Sequence, residues 1–170
     1  MATNLQFIKS ASGTSVSTLS ITDCFNANYD VYQVNISKVD LTGLEWVEMQ
    51  YLDTSGNPLT GTVYDEAVFE IIAYGSYSMG TSTSRDEHGR LIRQQADAED
   101  GAGCVITIFN PYTSGAHTFA TNQSAANTNA GGFNSKGVFV YKATDVVAGL
   151  KFKLNSLSFD SISVNVYGVK

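Results

Sequence analysis

Leu150-Lys151-Phe152-Lys153-Leu154 places an apolar residue at every second position, and Ser161-Ile162-Ser163-Val164-Asn165-Val166 repeats the alternation with small polar partners. A period of two marks a half-buried strand, because successive side chains leave a pleated backbone on opposite faces. Leu150, Phe152 and Leu154 therefore share a buried face against Lys151 and Lys153, as Ile162, Val164 and Val166 do against Ser161, Ser163 and Asn165. Upstream, Leu44-Glu45-Trp46-Val47-Glu48-Met49-Gln50-Tyr51-Leu52 also alternates, but both of its faces mix apolar and polar residues. That strand is expected to meet neighbours on both sides. Asp53-Thr54-Ser55-Gly56-Asn57-Pro58 supplies the glycine, asparagine and proline of a turn, and a hairpin to the next strand is expected after it.

The same pattern recurs at 5–9, 16–21, 31–41, 63–77, 104–109, 137–142, 150–155 and 158–168, where β-branched and aromatic residues stand between small polar breaks. About nine or ten strands with no amphipathic helix between them predict an all-β fold, an antiparallel sandwich or barrel, in one domain spanning 1–170. Asn110-Pro111 ends the strand that starts at Cys104, since proline cannot donate to a ladder and the residue before it is pushed out of the helical region. A chain of 170 residues buries about 70% of its unfolded surface and needs no metal or disulfide framework. Cys24 and Cys104 sit among apolar residues and read as buried free thiols, with a single bridge left open.

Two stretches break the pattern. Residues 80–103 are polar and hold the arginines Arg85, Arg90 and Arg93 together with His88; Leu91 and Ile92 anchor a short strand or one helical turn there. Residues 113–136 are rich in Ser, Thr, Asn, Ala and Gly, with His117, Phe119 and Phe133 spaced along them and Tyr112 just before. Loops longer than about 12–15 residues in a compact domain are usually functional, ordered by a partner, or mobile. Arg85, His88, Arg90, Arg93, Tyr112, His117, Phe119 and Phe133 are thus the candidate contact residues.

The formal net charge is −6, with no basic stripe to neutralise phosphates, which argues against nucleic acid as a partner. No run of 18 apolar residues and no secretory start are present, so a soluble, non-exported product with no membrane contact is expected. Charge is uneven: twelve acidic residues face three arginines from Asp40 to Asp100, whereas two acids face five lysines beyond Gly101. Opposite-sign faces suited to neighbour packing would follow.

Equipment for catalysis is sparse. His88 lies in the charge-dense Arg85-Asp86-Glu87-His88-Gly89-Arg90, where a solvated side chain outweighs a general base, and His117 reads as a surface or interface imidazole. Asp65 and Glu66 are consecutive on a strand and point to opposite faces, so with Glu70 they make no glycosidase pair. Asp97-Ala98-Glu99-Asp100-Gly101 lacks the alternation of a calcium loop and reads as solvated. The triplets Asn35-Ile36-Ser37 and Asn122-Gln123-Ser124 are discounted as glycosylation sites. No catalytic, cofactor-binding or metal-binding residue is assigned. The nine tyrosines often stand beside Gly, Ser or Asn, the mixture of rigid contact surfaces.

Leu5-Gln6-Phe7-Ile8-Lys9-Ser10, then Val16-Ser17-Thr18-Leu19-Ser20-Ile21-Thr22-Asp23-Cys24-Phe25 and Tyr29-Asp30-Val31-Tyr32, together with Ile108-Phe109-Asn110-Pro111-Tyr112 and Val166-Tyr167-Gly168-Val169-Lys170, resemble small structural proteins of tailed bacteriophages, particularly marine phages. The resemblance spans most of the chain and is weakest over 80–103. It implies a jelly-roll-like β-sandwich on the virion surface, a tail or fibre component or a capsid decoration protein, with no enzymatic role and no cofactor. Such a protein would act as a homotrimer or higher multimer among other virion proteins. A glycan-binding receptor module of a fibre tip, acting through Tyr112, Phe119 or Phe133, is the alternative, and a small hydrolase ranks third.

Overall fold

A computed structural model describes residues 4–73, 75, 77–94, 101–128 and 131–170. Over these residues the chain forms β1 (Leu5–Val16), β2 (Thr18–Ile21), β3 (Val31–Leu41), β4 (Glu45–Leu52), β5 (Tyr64–Ile72), β6 (Ser78–Arg85), β7 (His88–Gln94), β8 (Ala102–Phe109), β9 (Thr118–Thr128), β10 (Gly131–Tyr141), β11 (Gly149–Lys153) and β12 (Phe159–Val169). No helix among the described residues is long and apolar enough to cross a membrane.

The strands form two antiparallel sheets, one of eight in the order β1-β12-β3-β8-β9-β10-β5-β6 and one of four in the order β2-β11-β4-β7. The pairing is nested. β5 meets β6, β4 meets β7, β3 meets β8, β2 meets β11 and β1 meets β12, with successive pairs falling in alternate sheets. This is a two-stranded ribbon wound into two layers, the jelly-roll-like sandwich expected. The β9–β10 hairpin is inserted between β8 and β5.

Twelve strands replace the nine or ten expected, because the two stretches taken for loops are largely strand. β6 and β7 occupy most of 78–94, and β9 with the first half of β10 occupies most of 118–136. In β9 the inward side chains are Thr118, Ala120, Asn122 and Ser124, as small and polar as the outward ones, so no hydrophobic period betrays the strand. The turn at Asp53 forms as expected, with the Asp53 carboxylate accepting from the Ser55 and Asn57 amides at 2.8 Å. The hairpin does not: β4 pairs with β11 and β7, and the chain crosses to the other sheet before β5. Asn110 takes a positive φ of 56° directly after β8, where the proline was expected to end the strand.

The core is built from the inward face of each sheet. Val34 and Ile36 of β3, Ile106 and Ile108 of β8 and Val164 and Val166 of β12 face Val47, Met49 and Tyr51 of β4 and Leu150 and Phe152 of β11. The alternation of β11 and β12 is as expected, with the lysines and the serines outward. The ring of Tyr29 presses on Gly168, 2.6 Å from where a Cβ would stand. Gly149 is tighter against backbone, since a Cβ there would meet the Ile21 carbonyl oxygen at 2.5 Å.

Cys24 and Cys104 are free, and burial pushes both thiols up to about 12. Both should be inert to a thiol reagent at pH 8 in the native protein and react together on unfolding; rapid labelling of either in native buffer would contradict the burial. Gly149→Val should destabilise the fold by about 1–3 kcal/mol, because carbonyl and strand backbone cannot yield as a side chain does. Urea denaturation measures it.

Candidate interaction surfaces

β5 reads Tyr64-Asp65-Glu66-Ala67-Val68-Phe69-Glu70-Ile71-Ile72, and its alternation sends Tyr64, Glu66 and Val68 between the sheets. Ala67, Phe69 and Ile71 point outward. Across the ladder, Phe69 stands opposite Met79 of β6 on one side and Lys136 of β10 on the other, and Ala67 stands opposite Thr81 and Val138. The outer face of this end of the sheet therefore exposes a contiguous apolar group: Phe69 at 37%, Val138 at 47%, Ile71 at 52%, Tyr77 at 73% and Met79 at 78%. The rings of Phe69 and Tyr77 lie 5.6 Å apart. A hollow of about 360 Å³ runs between Phe69, Met79 and Val138. Single monomers seldom leave so many large side chains together in water.

A second surface lies where the edge strands β6 and β7 approach across the gap between the sheets. Glu66 reaches inward from β5, accepts the Gly89 amide at 2.7 Å, and lies 4.0 Å from Arg90 Nε. Burial raises its carboxyl above the usual range. The Arg90 guanidinium crosses to lie over Gly80 of β6, where any Cβ would collide with it. Glu48 and Glu87 share Lys153, at 3.3 and 3.0 Å, and both face Arg85 at the longer distances of 3.8 and 3.7 Å. Burial opposes the charge of Lys153, but the two glutamates outweigh it and hold its ammonium above the ordinary value.

Arg93 has a different neighbourhood. It stands opposite Trp46 in the ladder, lies 5.8 Å from the Phe133 ring centroid, and makes no ion pair among the described residues. Trp46 meets Phe133 edge-on at 5.5 Å. A groove of about 410 Å³ there is lined by Trp46 and Leu44, by the arginines Arg85, Arg90 and Arg93, and by the carboxylates Glu45 and Glu48.

The expected contact residues are thus divided. Arg85, Arg90 and Arg93 do gather on one side of the four-stranded sheet, on strands rather than a loop. His88 is a correction: it is wholly buried, not solvated. β7 begins at His88 with its side chain turned inward, opposite Met49, and the rings of Tyr64, Phe139 and Tyr51 surround it at 4.9, 4.9 and 5.5 Å. Neither ring nitrogen has a hydrogen-bond partner among the described residues, and burial first, then Arg85, lowers its pKa to about 3.

Phe133 is also buried, beneath Arg93. His117 is exposed and Phe119 is 40% exposed, their rings 6.5 Å apart where β9 begins; Tyr112 is half-buried in the preceding turn. The acidic stretch 97–101 lies, apart from Gly101, outside the described residues. Among the described residues no group of three or more His, Cys, Asp or Glu could hold a metal ion.

Sequence reasoning missed the apolar outer face because 63–77 is apolar on both sides, which hides the open one. It also missed the polar seam between the hairpin and β7. There Asn122 Nδ2 and Ser135 Oγ each donate to the Leu91 carbonyl at 2.8 Å, and Ser124 and Ser135 hydroxyls meet at 2.6 Å. No protein-family model matches the chain, and no curated protein matches it.

The buried imidazole sets a pH dependence. His88 is neutral in the fold, so the unfolded chain, with an ordinary histidine near 6.5, binds the extra proton between about pH 6.5 and 3. Its contribution is complete above pH 6.5 and is lost as pH falls. Urea midpoints should drop by the equivalent of a few kcal/mol between pH 7 and 4, and His88→Phe should flatten that drop; an unchanged slope in the variant would contradict it.

Proposed function

We propose that this chain is a non-enzymatic structural protein of a bacteriophage virion, a tail or fibre component or a capsid decoration protein, that works by packing against copies of itself and other virion proteins. The observation that supports this most is the outer face of β10, β5 and β6. Full burial of a side chain such as Phe69, Ile71 or Met79 is worth about 1.5–3 kcal/mol. A face that leaves several of them together in water gains that free energy only on meeting a partner. Homotrimers or higher multimers have the repeated contacts that such a face suits, and an obligate interface buries on the order of 2,000 Å² or more. The sequence resemblance to phage structural proteins supplies the particle. No catalytic, cofactor or metal role is assigned to any residue.

A second reading, recognition of a host surface glycan, draws on the groove over the four-stranded sheet. There Trp46, the only tryptophan, offers a ring and Arg93 a guanidinium with no ion pair among the described residues. A ring suits the apolar face of a sugar and a guanidinium its carboxylate substituents.

Light scattering after size exclusion should find three or more copies of the 18.2 kDa chain at micromolar concentration. Phe69→Lys with Met79→Lys should break that assembly while leaving the far-UV spectrum unchanged. A wild-type monomer would overturn the packing reading. Mass spectrometry of purified particles tests their protein content, and binding on a glycan array that Arg93→Ala abolishes would favour the receptor reading.

A further inference from the structure

The middle of the eight-stranded sheet has an outer face of different chemistry from its β5–β6 end. Val34 and Ile36, Cys104 and Ile106, Asn122 and Ser124, Phe133 and Ser135, and Val164 and Val166 point inward. The residues between them therefore point outward: Asn35 of β3, Val105 of β8, Gln123 of β9, Asn134 of β10 and Asn165 of β12, with Gln33 further along β3. All but Val105 are carboxamides. Asn35 stands opposite Val105 on one side and Asn165 on the other, and Val105 stands opposite Gln123. Next along β8 and β9, Gly103 stands opposite Ala125. There the surface sinks into an open hollow of about 680 Å³, with Asn35 and Ser37 on one wall, Gln123 and Asn134 on the other, and Val105 between them.

The walls are held in place and still have hydrogen bonds to make. Gln33 Nε2 donates to Asn35 Oδ1 at 2.8 Å, which fixes the Asn35 carboxamide and leaves its NH2 group to donate. Asn134 Nδ2 donates to the Ser124 carbonyl, which leaves the Asn134 side-chain oxygen to accept. Gln123 is exposed, and among the described residues neither end of its carboxamide is taken. Donors and acceptors thus face one another across a hollow whose size falls in the range of ligand sites, about 300–1,000 Å³.

We infer that this hollow binds a stretch of a neutral oligosaccharide. It lies on the opposite sheet from the Trp46 groove, takes a different ligand, and depends on neither reading above.

Hydrogen-bonding chemistry selects the occupant. A carboxamide sets a donor and an acceptor side by side, and each sugar hydroxyl can both donate and accept, so the two satisfy each other in either sense. An apolar ligand would strip water from the carboxamides and leave them unbonded. A phosphate or carboxylate is matched by guanidinium forks and a divalent cation by carboxylates, and neither group lines the hollow. Val105 and Ala125, both exposed, supply apolar contact for the C–H face of a sugar ring. The hollow is open, so a chain continues beyond it. Past Asn35 it meets Asn165 and Gln33, and in register with Gln33 stand Tyr167 and Phe7. The Phe7 ring is 56% exposed and meets Tyr167 edge-on at 5.8 Å, a surface on which a further sugar stacks.

A glycan array followed by calorimetry tests the site. At least one short neutral oligosaccharide of glucose, mannose, galactose or N-acetylglucosamine should bind the intact protein, and more tightly than its uronic-acid counterpart. Asn35→Ala with Gln123→Ala should weaken that binding about tenfold or more. Ala125→Phe, at an exposed position, should fill the hollow and abolish it. Trp46→Ala with Arg93→Ala should leave it unchanged, which separates this site from the groove. Failure of every neutral sugar to bind, preference for the charged ones, or binding that survives Ala125→Phe overturns the inference. Hydrogen exchange at Val105 and Gln123 that slows as protein concentration rises, without sugar, assigns the hollow to a second copy and overturns it as well. The mass of the wild type is a separate measurement, so the packing reading stands or falls apart from this one. Ala125→Phe decides the matter should the double alanine variant fail to fold.

Discussion

The nested pairing of strands governs everything else in this molecule. Strands far apart in the chain are partners, β1 with β12, β2 with β11 and β3 with β8, while β5–β6, β8–β9 and the β9–β10 hairpin are local. Neither sheet can therefore complete its inner face, to which Val34, Tyr51, Phe152 and Val166 belong, until distant segments arrive. Folds dominated by such non-local contacts are slow to form, since loop closure has to precede the contacts that offset it.

Nesting also answers the charge asymmetry of the sequence. An acidic stretch from Asp40 to Asp100 and a lysine-rich last part suggest opposite-sign faces, but a ribbon that folds the two together turns them into neighbours. Lys153 of β11 lies beside Glu48 of β4 and Glu87, and Lys142 meets Asp65 at 2.9 Å. Much of the opposition is spent within one molecule. The pairs at the surface add little stability in water.

The fold class was legible wherever one face of a strand is apolar and the other polar, as at Leu150, Phe152 and Leu154 or at Ile162, Val164 and Val166. It was illegible where that contrast fails. Eight strands cannot be covered by four, and the inserted hairpin looks onto the edge of β7 instead of the centre of the opposite sheet. Its inward residues Asn122, Ser124 and Ser135 are accordingly polar, bonded to one another and to the Leu91 carbonyl. In β7 the register shift buries Leu91 and Ile92 together and breaks the period of two, so His88 looked like part of a charged turn. The three arginines were found because charge in a polar stretch stands out. The apolar outer face was not, because Phe69 and Ile71 alternate with the equally apolar Val68 and Ile72.

The first and last strands are partners, Leu5 lying opposite Val169, and they occupy the rim of the larger sheet farthest from β6. With seven inter-strand spacings between them, at about 4.8 Å each, more than 30 Å separates the two rims. Any polypeptide continuing from either terminus, whether a purification handle, a fluorescent reporter or a neighbouring module, would emerge on that remote flank, so attachments there are tethered well clear of the opposite border.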